Sequence, residues 1–167
     1  SRTRTWVPLS IEKGRRHMTQ QETIRVGLVG LGGIARGQHI PGYRLCDNVE
    51  LAAFCDVNDE ALAAMGEKHG VSRLTTDYEE LVRYDDLDAV DVFTYPNTHH
   101  PISMAAIAQG KHVFCEKPLA LTYPLAREMF EAADAAGIQT GVGFTHRLTP
   151  AAHMAHDLIS SGALGEI

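Results

Sequence analysis

From Ile24 onward, short apolar runs alternate with longer segments whose apolar positions recur at helical spacing. Ile24–Val29 reads as a buried strand. The turn Gly30–Gly33 follows, then a short helical stretch that Pro41 and Gly42 interrupt. Leu51–Cys55 reads as a second strand, ending at Asp56. Asn58 can cap a helix over Asp59–His69, where Ala61, Leu62 and Met65 share a face and Gly70 stops the winding. A short extended piece near Arg73–Thr75 leads to Asp77, a cap for Tyr78–Arg83. Ala89–Thr94 is the next strand, and a helix over His100–Gln109 stops at Gly110. His112–Cys115 and Gln139–Phe144 are strands on either side of an Ala-rich helix, Pro124–Ala136, which ends at Gly137. Thr149 caps a last helix running to about Ser160.

Strands and helices alternating in this way predict the α/β class, a doubly wound parallel sheet with helices on both faces. In such sheets ligands bind at the carboxyl ends of the strands, near the switch in strand order. The informative residues are therefore those that follow each strand.

The chain has 167 residues, enough for about one domain. At 44% hydrophobic and 22% charged it can bury a real core, which argues against disorder over its whole length. A net charge of −6 argues against nucleic-acid binding, which needs a basic surface. No apolar run reaches the roughly 18 residues of a membrane helix. Cys46, Cys55 and Cys115 are odd in number and not paired in spacing, so a disulfide framework is not expected and a reducing, cytoplasmic setting fits. Residues 1–23 are Arg-containing and aperiodic and read as a disordered N-terminal extension, with residues 1–17 upstream of a start at Met18. At the other end, Ile167 stands where an apolar strand could begin, so the chain is expected to be the first part of a longer protein.

Gly30-Leu31-Gly32-Gly33-Ile34-Ala35 matches G-x-G-x-x-G/A between a strand and a helix, the context in which this pattern signals a dinucleotide site. Gly30 permits the tight turn, Gly32 lets backbone approach a pyrophosphate, and Ala35 lets helix and strand pack closely. Gly33 and Ile34 complete the loop, whose free N–H groups favour an anion. The bland alternative is a glycine turn that serves packing only. Asp56 follows Ala35 by 21 residues, where the pattern expects a carboxylate for the adenosine ribose. It repels a 2′-phosphate, and no Arg lies among residues 57–64, so NAD is expected over NADP. Asp56 could instead cap a helix, but Asn58 is the better cap.

Two further strand ends carry Thr94-Tyr95-Pro96-Asn97-Thr98-His99-His100 and Gly110-Lys111-His112-Val113-Phe114-Cys115-Glu116-Lys117-Pro118-Leu119-Ala120. These closely resemble the glucose–fructose oxidoreductase / inositol dehydrogenase (Gfo/Idh/MocA) family, which has P-N-x-x-H and G-K-H-V-x-x-E-K-P at the corresponding places. The likeness runs from Ile24 to Ile167, with Arg147-Leu148-Thr149-Pro150 and Gly162–Ile167 inside it. It implies an NAD(P)-binding Rossmann domain over residues 24–148. Residues 149–167 would begin a second α+β domain for substrate and oligomerisation, most of which is missing. It implies hydride transfer between a nicotinamide cofactor and a sugar, polyol or related carbonyl, in a full-length homo-oligomer, with this portion inactive alone. The alternative is a non-catalytic NAD(P)-binding module, a redox sensor or scaffold.

The resemblance places Lys117 near the nicotinamide and the reacting hydroxyl, as the catalytic residue. Glu116 would orient it or contact the cofactor, and Pro96, Asn97, His100 and Arg147 would approach the cofactor. Taken without that context, Lys117 reads as a surface lysine paired with Glu116, Asn97 as a turn residue and His100 as a solvent-facing helix residue. His99 is off the family pattern, and Thr145-His146 departs from it before Arg147. The two adjacent histidines have no third ligand at useful spacing, so no metal is expected. Cys115 reads as a buried small apolar residue. Exposed apolar surface is expected on the Thr149–Ser160 helix.

Overall fold

The computed structural model describes residues 23–166. All but Thr23 of the expected N-terminal extension, and Ile167, lie outside the described residues. The strands are β1 Ile24–Val29, β2 Val49–Cys55, β3 Leu74–Thr75, β4 Ala89–Val92, β5 His112–Cys115 and β6 Thr140–Val142. They form one sheet in the order β3-β2-β1-β4-β5-β6, with every pair parallel. The chain runs outward from β1 to β3, returns to the middle, and runs outward the other way from β4 to β6. The switch point therefore falls between β1 and β4.

Register sets the site. Val29 pairs with Cys55 and with Val92, Val92 with Cys115, and Cys115 with Val142. Five strands thus end level, and the residues after them share one edge.

Alternation along the strands divides the core between two faces. Val29, Val90, Val92, Val113 and Cys115 pack with Leu81, Ile102, Ala106 and Ala133 from α3 Tyr78–Leu81, α4 Pro96–Ala108 and α5 Tyr123–Ala136. Val26, Leu28, Phe54 and Phe93 pack with Ala35, Ile40, Leu62 and Met65. The latter four come from a π-helical turn Ala35–His39, from α1 Ile40–Tyr43 and from α2 Asp59–His69. Leu28, Phe54 and Leu81 are fully buried, each contributing about 1.5–3 kcal/mol of transfer free energy.

Two sequence expectations are corrected. The fourth helix starts at Pro96, four residues before His100. Pro suits the first helical turn because its missing N–H would have no partner there. Pro101 then lies inside the helix and gives no hydrogen bond to the Asn97 carbonyl. Nor do Pro41 and Gly42 interrupt the first helix. Winding passes from the π-helical turn directly into α1, with Pro41 in the first turn of α1.

Asn58 caps α2 as expected, accepting from the Ala61 N–H at 2.9 Å. A 3-10 turn, Thr145–Leu148, leads to α6 Pro150–Ser160, which Thr149 caps by accepting from the Ala152 N–H. No residue of α6 is buried; Met154, Leu158 and Ile159 lie exposed on it.

Candidate functional site

The glycine turn leaves β1 through Gly30, whose φ is +92°. A Cβ there would lie 2.8 Å from the Phe93 carbonyl carbon and 2.9 Å from the Thr94 nitrogen, so backbone blocks any side chain. At Gly32 and Gly33 a Cβ would meet nothing within 4 Å. The protein itself does not require glycine at those two positions, and the space above them is open. Ala35 is completely buried beneath the turn.

Asp56 holds this turn. One carboxylate oxygen accepts from the Leu31 N–H at 2.7 Å and the other from the Asn58 N–H at 2.9 Å. With Asn58 as the cap of α2, Asp56 ties the end of β2 to the glycine turn. A cavity of about 680 Å³ lies over them, lined by Gly30 to Ile34, Asp56, Asn58, Tyr78, Thr94 and Tyr95.

A second cavity, about 430 Å³, is lined by Ile34, Gln38, Glu116, Lys117, Phe144, His146 and Arg147. Ile34 lines both. Lys117 is exposed, and among the described residues no carboxylate lies within ion-pairing distance of its ammonium. Glu116 turns the other way and is only 7% exposed. Its Oε1 lies 2.8 Å from His39 Nε2, and its Oε2 accepts from the Lys117 N–H at 3.0 Å. Gly143 makes room for this carboxylate, since a Cβ there would come within 2.7 Å of Oε1.

The remaining sequence-predicted residues spread around this edge. Pro96 and Asn97 occupy the first turn of α4, outside the lining of both cavities. Arg147 and His146 line the second cavity from the 3-10 turn. His100 faces α5, its Nε2 2.9 Å from Glu128 Oε2. The off-pattern neighbour His99 is buried instead. Its Nδ1 lies 2.7 Å from the Pro118 carbonyl oxygen and its Nε2 3.0 Å from that of Thr94, so it joins the end of β4 to the turn after β5. Lys111 is also buried; its ammonium donates to the carbonyls of Tyr84, Asp85 and Leu87, a structural role at the opposite edge of the sheet.

Burial pushes the Cys55 and Cys115 thiols up to about 12, which leaves neither as a thiolate nucleophile near neutral pH. Among the described residues no group of three or more His, Cys, Asp or Glu side chains is arranged for a metal ion. His39, Gly143 and the strand residue Asp91 did not stand out in the sequence, and His99 read there only as off the family pattern. The signals available were weak: His39 follows Ala35 by one helical turn, and Gly143 follows Gly141 by one strand period.

A family model described as an oxidoreductase family with an NAD-binding Rossmann fold (GFO_IDH_MocA) matches residues 24–144. The 1,5-anhydro-D-fructose reductase of Ensifer adhaerens is 41% identical over 142 residues, which cover 84% of this chain and 42% of that protein. Among solved structures, the WlbA dehydrogenase from Bordetella pertussis in complex with NADH and UDP-GlcNAcA superposes with a TM-score of 0.82 at 30% identity, covering 87% of this chain and 44% of that one. Scyllo-inositol dehydrogenase from Lactobacillus casei, with bound NAD(H) and scyllo-inositol, gives 0.80 at 27% identity, over 87% of this chain and 43% of that one. The chain spans about 42% of the length of the first curated relatives it matches.

Proposed function

Because the chain belongs to the Gfo/Idh/MocA oxidoreductase family, we propose that it is the nucleotide-binding part of an NAD-dependent dehydrogenase acting on a sugar, polyol or related carbonyl. The observation that carries the reading is the pair of cavities that share Ile34, one over the open Gly32–Gly33 turn beside Asp56 and the other at Lys117, whose ammonium has no carboxylate partner among the described residues. The glycine-turn N–H groups face a pyrophosphate, and Gly32 and Gly33 leave the room it needs. Asp56 receives the adenosine ribose hydroxyls and disfavours a 2′-phosphate, so NAD is preferred to NADP. The other half of the dinucleotide then extends toward β4 and β5, with Asn97, Glu116 and Arg147 around it. Pro96 holds Asn97 in the first helical turn, and His100 steadies α4 against α5.

The bound nicotinamide supplies the hydride acceptor or donor. Lys117 binds the reacting oxygen: in the reducing direction its ammonium gives the proton that completes the alcohol, and in the oxidising direction its neutral amine takes that proton as the carbonyl forms. An ammonium without a carboxylate partner among the described residues favours this reading over a non-catalytic binding module. Catalysis, substrate selection and homo-oligomer assembly belong to the complete protein, and this portion alone binds nucleotide without turnover. Three unpaired cysteines fit a reducing cytoplasm. Among the described residues no helix is long and apolar enough to cross a membrane.

Calorimetric titration with NADH and NADPH, beside Asp56→Ala and with a melting curve for each protein, tests the reading. The expected result is a preference for NADH of about tenfold or more, lost or reversed in the variant. A well-folded chain that binds neither nucleotide overturns it.

A further inference from the structure

The carboxylate of Glu116 is buried one residue from a lysine, yet it does not pair with that lysine. A buried carboxylate is costly unless both oxygens find donors. Glu116 has one donor for each, and they come from different parts of the chain: the Lys117 backbone N–H and His39, 77 residues earlier. His39 is itself firmly held. Its ring lies flat on Phe93, with centroids 4.1 Å apart and planes 20° from parallel, and tilted against Phe114. The side chains of His39 and Glu116 are only 12% and 9% exposed. His39 closes the π-helical turn that leaves the glycine motif, where the Ile40 N–H reaches back to the Ala35 carbonyl. Such turns are rare and concentrate at functional sites.

A chain of contacts therefore runs from the helix behind the glycine turn, through His39 and Glu116, into the backbone of Lys117. Without the imidazole, Glu116 keeps one donor and a bare oxygen. The nearest way to satisfy it is to swing outward to the adjacent Lys117 ammonium. We propose that His39 is a positioning residue: it holds Glu116 inward, which fixes the Lys117 turn and keeps its ammonium available to the second cavity. This rests on the dehydrogenase reading, because it assigns that cavity to the nicotinamide half of the dinucleotide.

The test compares NADH with ADP-ribose, which lacks the nicotinamide. Dissociation constants for both are measured by calorimetry on the 167-residue chain and on His39→Phe and His39→Gln. The Phe variant keeps a ring on Phe93 and removes the donor, whereas the Gln variant keeps an N–H. His39→Phe is expected to weaken NADH about tenfold while changing ADP-ribose less than about twofold, and His39→Gln to recover most of the loss. Equal weakening of both ligands means a general structural role and overturns the proposal, as does binding unchanged from wild type. Equal affinity of wild type for the two ligands overturns it as well.

Should His39→Phe fail to fold, Glu116→Leu carries the comparison. A side chain with no acceptor loses both the His39 contact and the Lys117 N–H bond. The same selective loss of NADH is expected, and its absence overturns the proposal. A folded wild-type chain that binds neither ligand removes the dehydrogenase reading and this inference with it, whereas NADH binding with unselective variants removes the inference alone.

Discussion

The glycine turn after β1 and the Lys117 turn after β5 stand at the same sheet edge but are built differently. The first is made of backbone. Gly30 fits against the backbone of Phe93 and Thr94, and one carboxylate, Asp56, holds the loop by the Leu31 N–H. The second is made of side chains. Glu116 is held by His39, lies in the space left by Gly143, and holds Lys117 in turn. A backbone-built site fails by steric collision and takes the fold with it. A side-chain-built site loses its geometry one contact at a time.

The largest effect should come from Gly30→Ala. The substitution forces an alanine to φ near +92° and puts its Cβ 2.8 Å from a carbonyl carbon that cannot move without shifting β4. Strain and overpacking together cost on the order of 3 kcal/mol or more. Urea unfolding should show that loss, or no folded chain. Gly32→Ala sharpens the contrast, because its Cβ meets nothing within 4 Å and its φ is not positive. Its unfolding midpoint should match wild type while NADH affinity falls. If Gly30→Ala is as stable as Gly32→Ala, the steric account of this turn is wrong.

Between the two turns runs β4, with Asp91 at its centre. Its carboxylate is 2% exposed, and burial pushes it up to about 7, partly opposed by the hydroxyl of Tyr43, which donates to it. Raised above its ordinary value of 3.8, it binds its proton more tightly in the folded chain than in the unfolded one. Its contribution to stability is therefore complete below about pH 4, falls as pH rises to about 7, and is flat above. The slope is at most about 1.4 kcal/mol per pH unit, so wild type should lose on the order of 2–3 kcal/mol relative to Asp91→Asn between pH 5 and pH 8. Arg73 holds Asp86 low, and Thr75 and Tyr84 hold Glu80 low; those contributions are lost in acid and cancel when the two proteins are compared. Urea midpoints at the two pH values decide it: a constant difference would mean that Asp91 is ionised throughout.

The contrast between the turns also explains what was legible in the sequence. The glycine turn, the strand before it and the helix after it are contiguous from Ile24 to Tyr43, so the G-x-G-x-x-A pattern following an apolar run locates the turn. Asp56 was legible by spacing, although its bond to Leu31 was not. The Glu116–Lys117–Pro118 stretch was visible, but not the inward turn of Glu116, because His39 and Gly143 approach it only once the sheet has formed. Asp91 was hidden in an otherwise apolar run, since its partner Tyr43 stands 48 residues away. The start of α4 was obscured because Pro96 signals a turn and a first helical residue equally well. Local chemistry is written in local sequence, and contacts made by register are not.

Lys117→Ala should have the smallest effect on the fold and separates the two regions most cleanly. The side chain is exposed, and among the described residues its ammonium has no carboxylate partner whose loss could destabilise the fold. The bond that Glu116 receives comes from the Lys117 backbone N–H, which alanine retains. The unfolding midpoint and ADP-ribose affinity should therefore match wild type, while single-turnover hydride transfer in the complete protein slows by about 100-fold or more, the scale of a lost acid–base group. If the variant melts early or loses ADP-ribose, the Lys117 side chain supports the backbone-built region, and the division between the two turns fails. If hydride transfer survives, another group must hold the reacting oxygen, and Arg147 and His146 line the same cavity.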